Sequence, residues 1–196
     1  MNIAILILAA GNSSRMGVAK QLLPIGKTTL LGVTIENALQ SNANQVSCIL
    51  GANAEAVRTS ISKYNIESIF NPNYESGLSS SIVSGIQYII NQNFDAVLIL
   101  LGDQPLIKGK YLNEMINTYK NNGTKIIAST YDNTFGVPTI IPKTYFNQLL
   151  KLKGDKGAKD FLNTRKEDII PLKKTNLMDI DTKKEYQDYL NSINFE

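Results

Sequence analysis

Hydrophobic positions along this chain follow two alternating rhythms. Short, nearly unbroken apolar runs at Ile3–Leu8, Val46–Leu50 and Ala96–Leu101 are separated by longer stretches where apolar residues recur every three or four positions. The first rhythm fits strands buried on both faces of a parallel sheet, and the second fits amphipathic helices. After the opening strand, the pattern predicts a helix from Thr28 to about Gln40, with a hydroxyl near its start and Leu30, Leu31, Ile35, Ala38 and Leu39 at helical spacing. A strand at Gln45–Leu50, a helix capped by Asn53 and running to about Lys63, and a strand at Glu67–Phe70 come next. Then follow a helix from Ser79 to about Ile90, the strand Ala96–Leu101, a helix over Lys108–Asn121 and a strand-like Lys125–Thr130. The remainder mixes short strands with helices near Lys143–Leu152, Lys156–Leu162 and Lys183–Asn191. Such alternation predicts an α/β fold, a Rossmann-like three-layer sandwich with a mostly parallel central sheet. With 196 residues, 43% of them hydrophobic, and no internal repeat or low-complexity linker, one domain spanning 1–196 is the expectation.

Composition narrows the chemistry. The formal charge of +3 is small and is not gathered into a block, although Lys173-Lys174 and Lys183-Lys184 are local pairs, which argues against a nucleic-acid surface. The single cysteine, Cys48, lies within an apolar run and reads as a small buried hydrophobe, with no disulfide or cysteine-rich metal site available. Histidine is absent, which removes the commonest general base, the commonest zinc ligand and any His-based hydrolytic triad. Chemistry must rest on Asp, Lys, Arg and hydroxyl groups. The first apolar run has no basic region before it and is too short for a secretion signal, and nothing approaches a membrane span. A cytoplasmic enzyme with no membrane partner is the expectation.

The strand Ile3–Leu8 empties into Ala9-Ala10-Gly11-Asn12-Ser13-Ser14-Arg15-Met16-Gly17-Val18-Ala19-Lys20-Gln21-Leu22-Leu23-Pro24. Small residues let the backbone approach a ligand closely, since Gly11 lacks a Cβ and Ala9 and Ala10 carry only a methyl. Arg15 and Lys20 follow within one loop's reach. Two cations and free backbone N–H groups at the end of a first strand suit a polyphosphate, which points to a nucleotide and to a triphosphate. The dinucleotide pattern G-x-G-x-x-G fails here, and so does G-x-x-x-x-G-K-[ST], because Gly17 is followed by Val18 and the lysine is displaced to Lys20. A plain strand-loop-helix connection with solvated basic residues is the competing reading.

A second motif, Leu98-Ile99-Leu100-Leu101-Gly102-Asp103-Gln104-Pro105, puts an aspartate just past a central strand. Open α/β sheets gather ligands there, and magnesium needs few protein carboxylates because water and substrate phosphate supply its other ligands. Asp103 is the first candidate for catalysis, with turn formation before Pro105 as its alternative. In Asn71-Pro72-Asn73-Tyr74-Glu75-Ser76-Gly77-Leu78-Ser79-Ser80-Ser81, the glycine and the hydroxyl run also read simply as a capped helix start. In Leu177-Met178-Asp179-Ile180-Asp181-Thr182-Lys183-Lys184-Glu185, both aspartates would share one face of a strand, and one of them could complete a metal site opposite Asp103. Asp181 or Thr182 could equally cap the last helix, with Glu185 at capping-box spacing from Thr182.

The first of these motifs resembles the signature loop of the MobA-like nucleotidyltransferases, in particular the molybdenum cofactor cytidylyltransferase branch and its pattern LAAGxSxRMGxxKxLLP. Gly102-Asp103-Gln104-Pro105 matches that family's GDQP, Asn71–Gly85 resembles its NPxxxxGxxSSxxxG stretch, and Asp179–Glu185 its DIDTPED-like end. The resemblance implies a nucleotide-diphospho-sugar transferase-like fold. It also implies an enzyme moving a nucleoside monophosphate, with CMP from CTP favoured by the Ala-Ala-Gly form, onto a phosphorylated pterin-type acceptor with release of pyrophosphate. By the same resemblance Leu8, Ala9, Ala10, Gly11, Gly77, Ser80, Ser81 and Gly102 surround the nucleotide, and Arg15 and Lys20 neutralise its triphosphate. Asp103 and Asp181 bind Mg²⁺, and a molybdoenzyme is an implied client. Gly154-Asp155-Lys156-Gly157-Ala158-Lys159 resembles the family's GDxGAR on the acceptor side, although these glycines could simply end one helix and start another. The chain departs from the cofactor branch at Gly136-Val137-Pro138, where a histidine usually follows. That departure keeps a sugar or alditol phosphate acceptor open, as well as a noncatalytic accessory that delivers cofactor to molybdoenzymes.

Overall fold

The computed structural model describes residues 1–13, 16–131, 134–173 and 178–193. In chain order its elements are β1 (Ile3–Ala9), β2 (Pro24–Ile25), β3 (Thr28–Thr29), α1 (Leu30–Leu39), β4 (Gln45–Leu50), α2 (Ala54–Ile61), β5 (Glu67–Phe70) and α3 (Leu78–Ile89). There follow β6 (Ala96–Leu101), α4 (Gly109–Asn122), β7 (Ile126–Tyr131), β8 (Thr134–Pro142), α5 (Phe146–Leu149), α6 (Lys159–Asn163), β9 (Ile169–Lys173) and α7 (Lys183–Ile193). Seven strands form one sheet in the order β5-β4-β1-β6-β8-β7-β9, and β2 pairs with β3 apart from it. Only β8 runs against its neighbours, so the sheet is mostly parallel, as the alternation of elements predicts.

Side-chain parity builds the three layers. Every residue of β1 is buried. Its Ile3, Ile5, Ile7 and Ala9 pack with Leu31 and Ile35 of α1, Val57 of α2, and Leu112 and Ile116 of α4. Ala4, Leu6 and Leu8 face the other way, toward Ile82 and Ile86 of α3, Phe146 of α5 and Phe161 of α6. The β6 strand divides in the same manner, with Leu98 and Leu100 on the first face and Val97 and Ile99 on the second. Burial on both faces is why these two strands read as continuous apolar runs.

Topology places the site. From β1 the chain steps outward to β4 and β5 with α1 and α2 on one face, then crosses the other face in α3 to reach β6 on the far side of β1. Right-handed crossovers require the covering helices to change face when the direction of travel reverses. The reversal opens a crevice at the carboxyl ends of β1 and β6, where open α/β sheets bind ligands. A third, smaller core of Ile25, Leu30, Ile180 and Tyr189 packs the end of the chain against the β2–β3 hairpin beside that crevice.

Several boundaries differ from the sequence expectation. Thr28 belongs to β3, and the first helix starts at Leu30 with the Thr29 side chain accepting from Gly32 N–H. Asn53 stands at the predicted cap but adopts a left-handed conformation (φ 57°) and makes no side-chain cap bond, so the turn geometry, rather than capping, accounts for an Asn there. The helix foreseen at Lys143–Leu152 is a 3₁₀ turn followed by the short α5, and the one foreseen from Lys156 begins at Lys159. Residues 178–181 lie outside any strand.

Candidate active site

The crevice is a cleft of about 590 Å³. One wall is the end of β1 and the loop after it, with Leu8, Ala9, Ala10, Gly11 and Asn12. A Cβ on Gly11 would meet nothing within 4 Å, so the backbone there is open toward the cleft, whereas one on Gly102 would come within 3.1 Å of Ala9 Cβ and Leu31 Cδ1. The missing Cβ leaves the backbone uncovered at the first position and permits close packing at the second. Gly102 N–H donates to the Leu8 carbonyl at 2.9 Å, locking the two strand ends together.

The opposite wall comes from the β5–α3 connection and the loop before α6. It presents Tyr74, Glu75, Gly77, Leu78, Ser81 and Asp155. Gly77 has φ 96°, and a Cβ there would collide with the Asp155 carboxylate, so only glycine lets these loops meet. The Gly154 carbonyl accepts from Ser79 N–H at 3.1 Å. Ser81 is buried and accepts from Asn71 Nδ2 at 3.2 Å. Ser80 accepts from the same amide at 2.8 Å and donates to the Gly77 carbonyl at 2.8 Å; it braces the turn and does not line the cleft.

The floor is ionic. Lys20, on a 3₁₀ turn at Lys20–Leu22, donates from Nζ to Asp103 Oδ2 and, at 2.8 Å, to Asp181 Oδ1. Burial alone would lower the ammonium's pKa, but Asp103 and Asp181 outweigh it and hold it above its usual value, so Lys20 is charged throughout the physiological range. Asp103 Oδ1 is buried and meets no hydrogen-bond partner among the described residues. Asp179 accepts from Gln104 Nε2 at 2.8 Å, and burial followed by the charge of Asp103 raises its pKa. Ile180 N–H donates to the Asp103 carbonyl at 3.0 Å, which ties the carboxyl-terminal segment to the β6 end and brings Asp179 and Asp181 to the cleft.

Of the residues singled out from sequence, Leu8, Ala9, Ala10, Gly11, Lys20, Gly77, Ser81, Gly102, Asp103 and Asp181 thus meet in one cleft. Arg15 lies outside the described residues. Thr182 does cap α7: its hydroxyl accepts from Glu185 N–H at 3.2 Å and its own N–H donates to Glu185 Oε2 at 2.7 Å, while Asp181 faces Lys20. The cap and the cleft carboxylate coexist on neighbouring residues. Sequence reasoning did not assign Gln21, Tyr74, Glu75 or Leu78 to the site; only the adjacency of Gln21 to Lys20 pointed that way.

Metal chemistry can be tested on the donors present. Among the described residues no group of three or more carboxylate or thiolate side chains is gathered as a metal site. Magnesium does not require one, since one or two carboxylates suffice when phosphate and water complete its shell. A buried carboxylate oxygen of Asp103 without a partner among the described residues, with Asp181 sharing the same counterion, is a donor set that fits such an ion. The described side chains lining the cleft include five carboxylates (Glu75, Asp103, Asp155, Asp179, Asp181) against the single ammonium of Lys20. A triphosphate entering it needs further positive charge.

Comparison with known proteins agrees with this fold. The model of the MobA-like NTP transferase domain matches residues 5–169. The bifunctional protein GlmU of Coxiella burnetii (strain CbuK_Q154) is 28% identical over 167 residues, covering 84% of this chain but 36% of that protein, so the chain spans roughly a third of such relatives. A homologue of Mycobacterium tuberculosis Rv0371c from Mycobacterium sp. strain JC1 superposes with a TM-score of 0.87 at 29% identity, covering 99% of this chain and 98% of that one. Rv0371c from M. tuberculosis H37Rv, in a complex with manganese, gives 0.82 at 27% identity over 98% of this chain and 100% of the other. CMP:2-keto-3-deoxy-manno-octonic acid synthetase complexed with CTP shares the fold at 13% identity, with a TM-score of 0.81 and coverage of 100% and 99%. Signature loop, sheet topology and family match converge: the chain belongs to the MobA-like NTP transferase domain family and is a nucleotidyltransferase.

Proposed function

We propose that this chain is a magnesium-dependent cytidylyltransferase that moves CMP from CTP onto a phosphorylated pterin-type acceptor and releases pyrophosphate. The observation that carries the reading is the Lys20 ammonium held between Asp103 and Asp181 directly beside the open Ala9–Gly11 backbone. In this arrangement lysine and carboxylates neutralise one another. With substrate present, Lys20 would exchange carboxylate for triphosphate oxygens, Arg15 would add a second positive charge, and Asp103 and Asp181 are the residues that would hold Mg²⁺. When bound, the ion supplies positive charge to the phosphate oxygens.

The acceptor's phosphate oxygen attacks the α-phosphorus in line, the bond from that phosphorus to the β-phosphate oxygen breaks, and pyrophosphate leaves. Lys20 stabilises charge on the departing group, and the walls of the cleft hold the two reactants in register. No side chain need act as base, because a phosphate monoester is already largely ionised at neutral pH. This agrees with a chain that lacks histidine. A second reading, transfer to a sugar or alditol phosphate, is favoured by the missing histidine after Gly136-Val137-Pro138 and by the fold shared with a synthetase of a sugar acid.

Pyrophosphate release with Mg²⁺ decides between them. CTP, GTP, ATP and UTP are each offered with molybdopterin-type cofactor and with a panel of sugar and alditol phosphates. CTP-dependent release requiring the pterin is the expected result. Release only with another acceptor keeps the reaction and replaces the pathway, and silence with every pair favours an acceptor outside the panel or an accessory role.

A further inference from the structure

We infer that Gln21 is the positioning residue that shapes the nucleobase-facing backbone of the cleft, an inference that rests on the nucleotide-binding role proposed above for Ala9–Gly11. Gln21 follows Lys20 in the same 3₁₀ turn, yet its side chain goes elsewhere. It is 3% exposed and touches the cleft. Its Nε2 donates both hydrogens to main-chain carbonyls, to Ala9 at 3.0 Å and to Gly11 at 2.7 Å, so one amide spans Ala10. Its Oε1 accepts from Ser13 Oγ at 3.3 Å, and Ser13 Oγ in turn accepts from Lys20 N–H at 3.1 Å.

These bonds act on a backbone that does not hold its shape unaided. Ser13 has φ 55°, a left-handed conformation costly for a residue with a Cβ and one that persists only where its surroundings impose it. The chain has left the sheet by Gly11, so ladder bonds no longer fix it. From the other side Ala52 N–H donates to the Ala10 carbonyl at 3.0 Å. All three carbonyls of Ala9, Ala10 and Gly11 are thereby engaged from within the protein, two of them by Gln21. The peptide planes of this stretch, and with them the directions of the groups that face the cleft, are set by that amide. The ammonium of Lys20, at the far end of its side chain, bonds to Asp103 and Asp181 and not to the Gln21 amide. Loss of Gln21 therefore damages recognition of the base and spares recognition of the phosphates, a split that general unfolding does not produce.

Calorimetric titration with Mg²⁺ tests this on the full chain, using CTP, GTP, ATP and UTP as nucleotide probes and inorganic tripolyphosphate as a probe without a base. Gln21→Met keeps the bulk and removes all three bonds of the amide, the two to the Ala9 and Gly11 carbonyls and the one from Ser13. It should weaken the preferred nucleotide by about tenfold, the scale of one to two hydrogen bonds, while tripolyphosphate affinity stays within about twofold. Gln21→Asn, whose amide is one methylene too short to span Ala10, should fall between wild type and Met, and it serves if the Met variant does not fold. Nucleotide affinity unchanged in the variants, or nucleotide and tripolyphosphate affinity lost together, overturns the role of Gln21. A wild-type chain that binds tripolyphosphate but none of the four nucleotides overturns the nucleotide reading itself, and the role of Gln21 with it.

Discussion

At Asp103 one carboxylate oxygen meets Lys20, and the other is buried without a hydrogen-bond partner among the described residues. An oxygen left open in this way is available as a donor to a cation. Asp103→Asn retains the volume and removes the charge. Turnover should fall about a hundredfold or more, as when one stabiliser of transition-state charge is lost, with little change in melting temperature. Pyrophosphate-release kinetics near the wild-type rate would remove Asp103 from the metal assignment. Lys20 and Asp103 were legible in the sequence because each sits at a fixed distance from the end of an apolar strand, and strand ends define the crevice. Tyr74 and Glu75 were not legible as site residues, because their place depends on Gly77 turning with positive φ and on Asp155 packing against that turn. No local pattern encodes a meeting of two loops nearly 80 positions apart.

Elements carry their own lesson about what local spacing can reveal. The Thr182–Glu185 capping box was readable because both halves lie within one helical turn, and it forms as read. Glu185 Oε2 also accepts from Asp181 N–H at 2.9 Å, so the cap of α7 holds the backbone of a cleft carboxylate. Thr182→Ala should cost about 1 kcal/mol of stability, typical of losing an N-cap, with turnover little changed, whereas Glu185→Ala, which removes the acceptor of Asp181 N–H, should lower turnover more than its effect on stability implies. Thermal melts and kinetics on the same preparations separate the two effects, and unchanged kinetics in the Glu185 variant would sever the cap from the site.

Across the sheet, α4 is pinned by Tyr119, whose buried hydroxyl donates to the Asp95 carbonyl at 3.2 Å. Burial first, and then the charge of Asp95, push its pKa above the usual tyrosine value near 10. A group raised in the folded state contributes stability that is complete below its unfolded pKa and is lost as pH rises through the folded one. Stability should therefore decline above about pH 10, and Tyr119→Phe should make that decline shallower. An unaltered alkaline limb in denaturant titrations across pH 8–12 would rule out Tyr119 as its source.

On the scale of the whole molecule, the alternation of apolar runs with helical stretches sufficed for the parallel sheet and its layers, since parity along β1 and β6 sorts side chains to two faces. The end of the chain was harder to place: Asp179 and Asp181 were expected on a strand, yet Ile180 anchors them through the third core and a bond to the Asp103 carbonyl. The family match ends at residue 169, while the carboxylates that share Lys20 with Asp103, or press on it, come from 179 and 181. Site and stability are therefore coupled through the last segment. A chain ending at Lys173 loses Ile180 and Tyr189 from that core, both at most 2% exposed, which should cost about 1.5–3 kcal/mol for each. It also loses half of the proposed metal donors. For the full chain, Mg²⁺ with CTP at a hundred times its dissociation constant should add about 2.7 kcal/mol of stability, and a chelator should abolish the gain, because the cleft's described side chains, five carboxylates against one ammonium, disfavour a bare triphosphate. The shortened chain should melt lower and show no such gain. A full Mg²⁺–CTP stabilisation in the shortened chain would mean that Asp103 and the first loop suffice, and that Asp181 serves Lys20 alone.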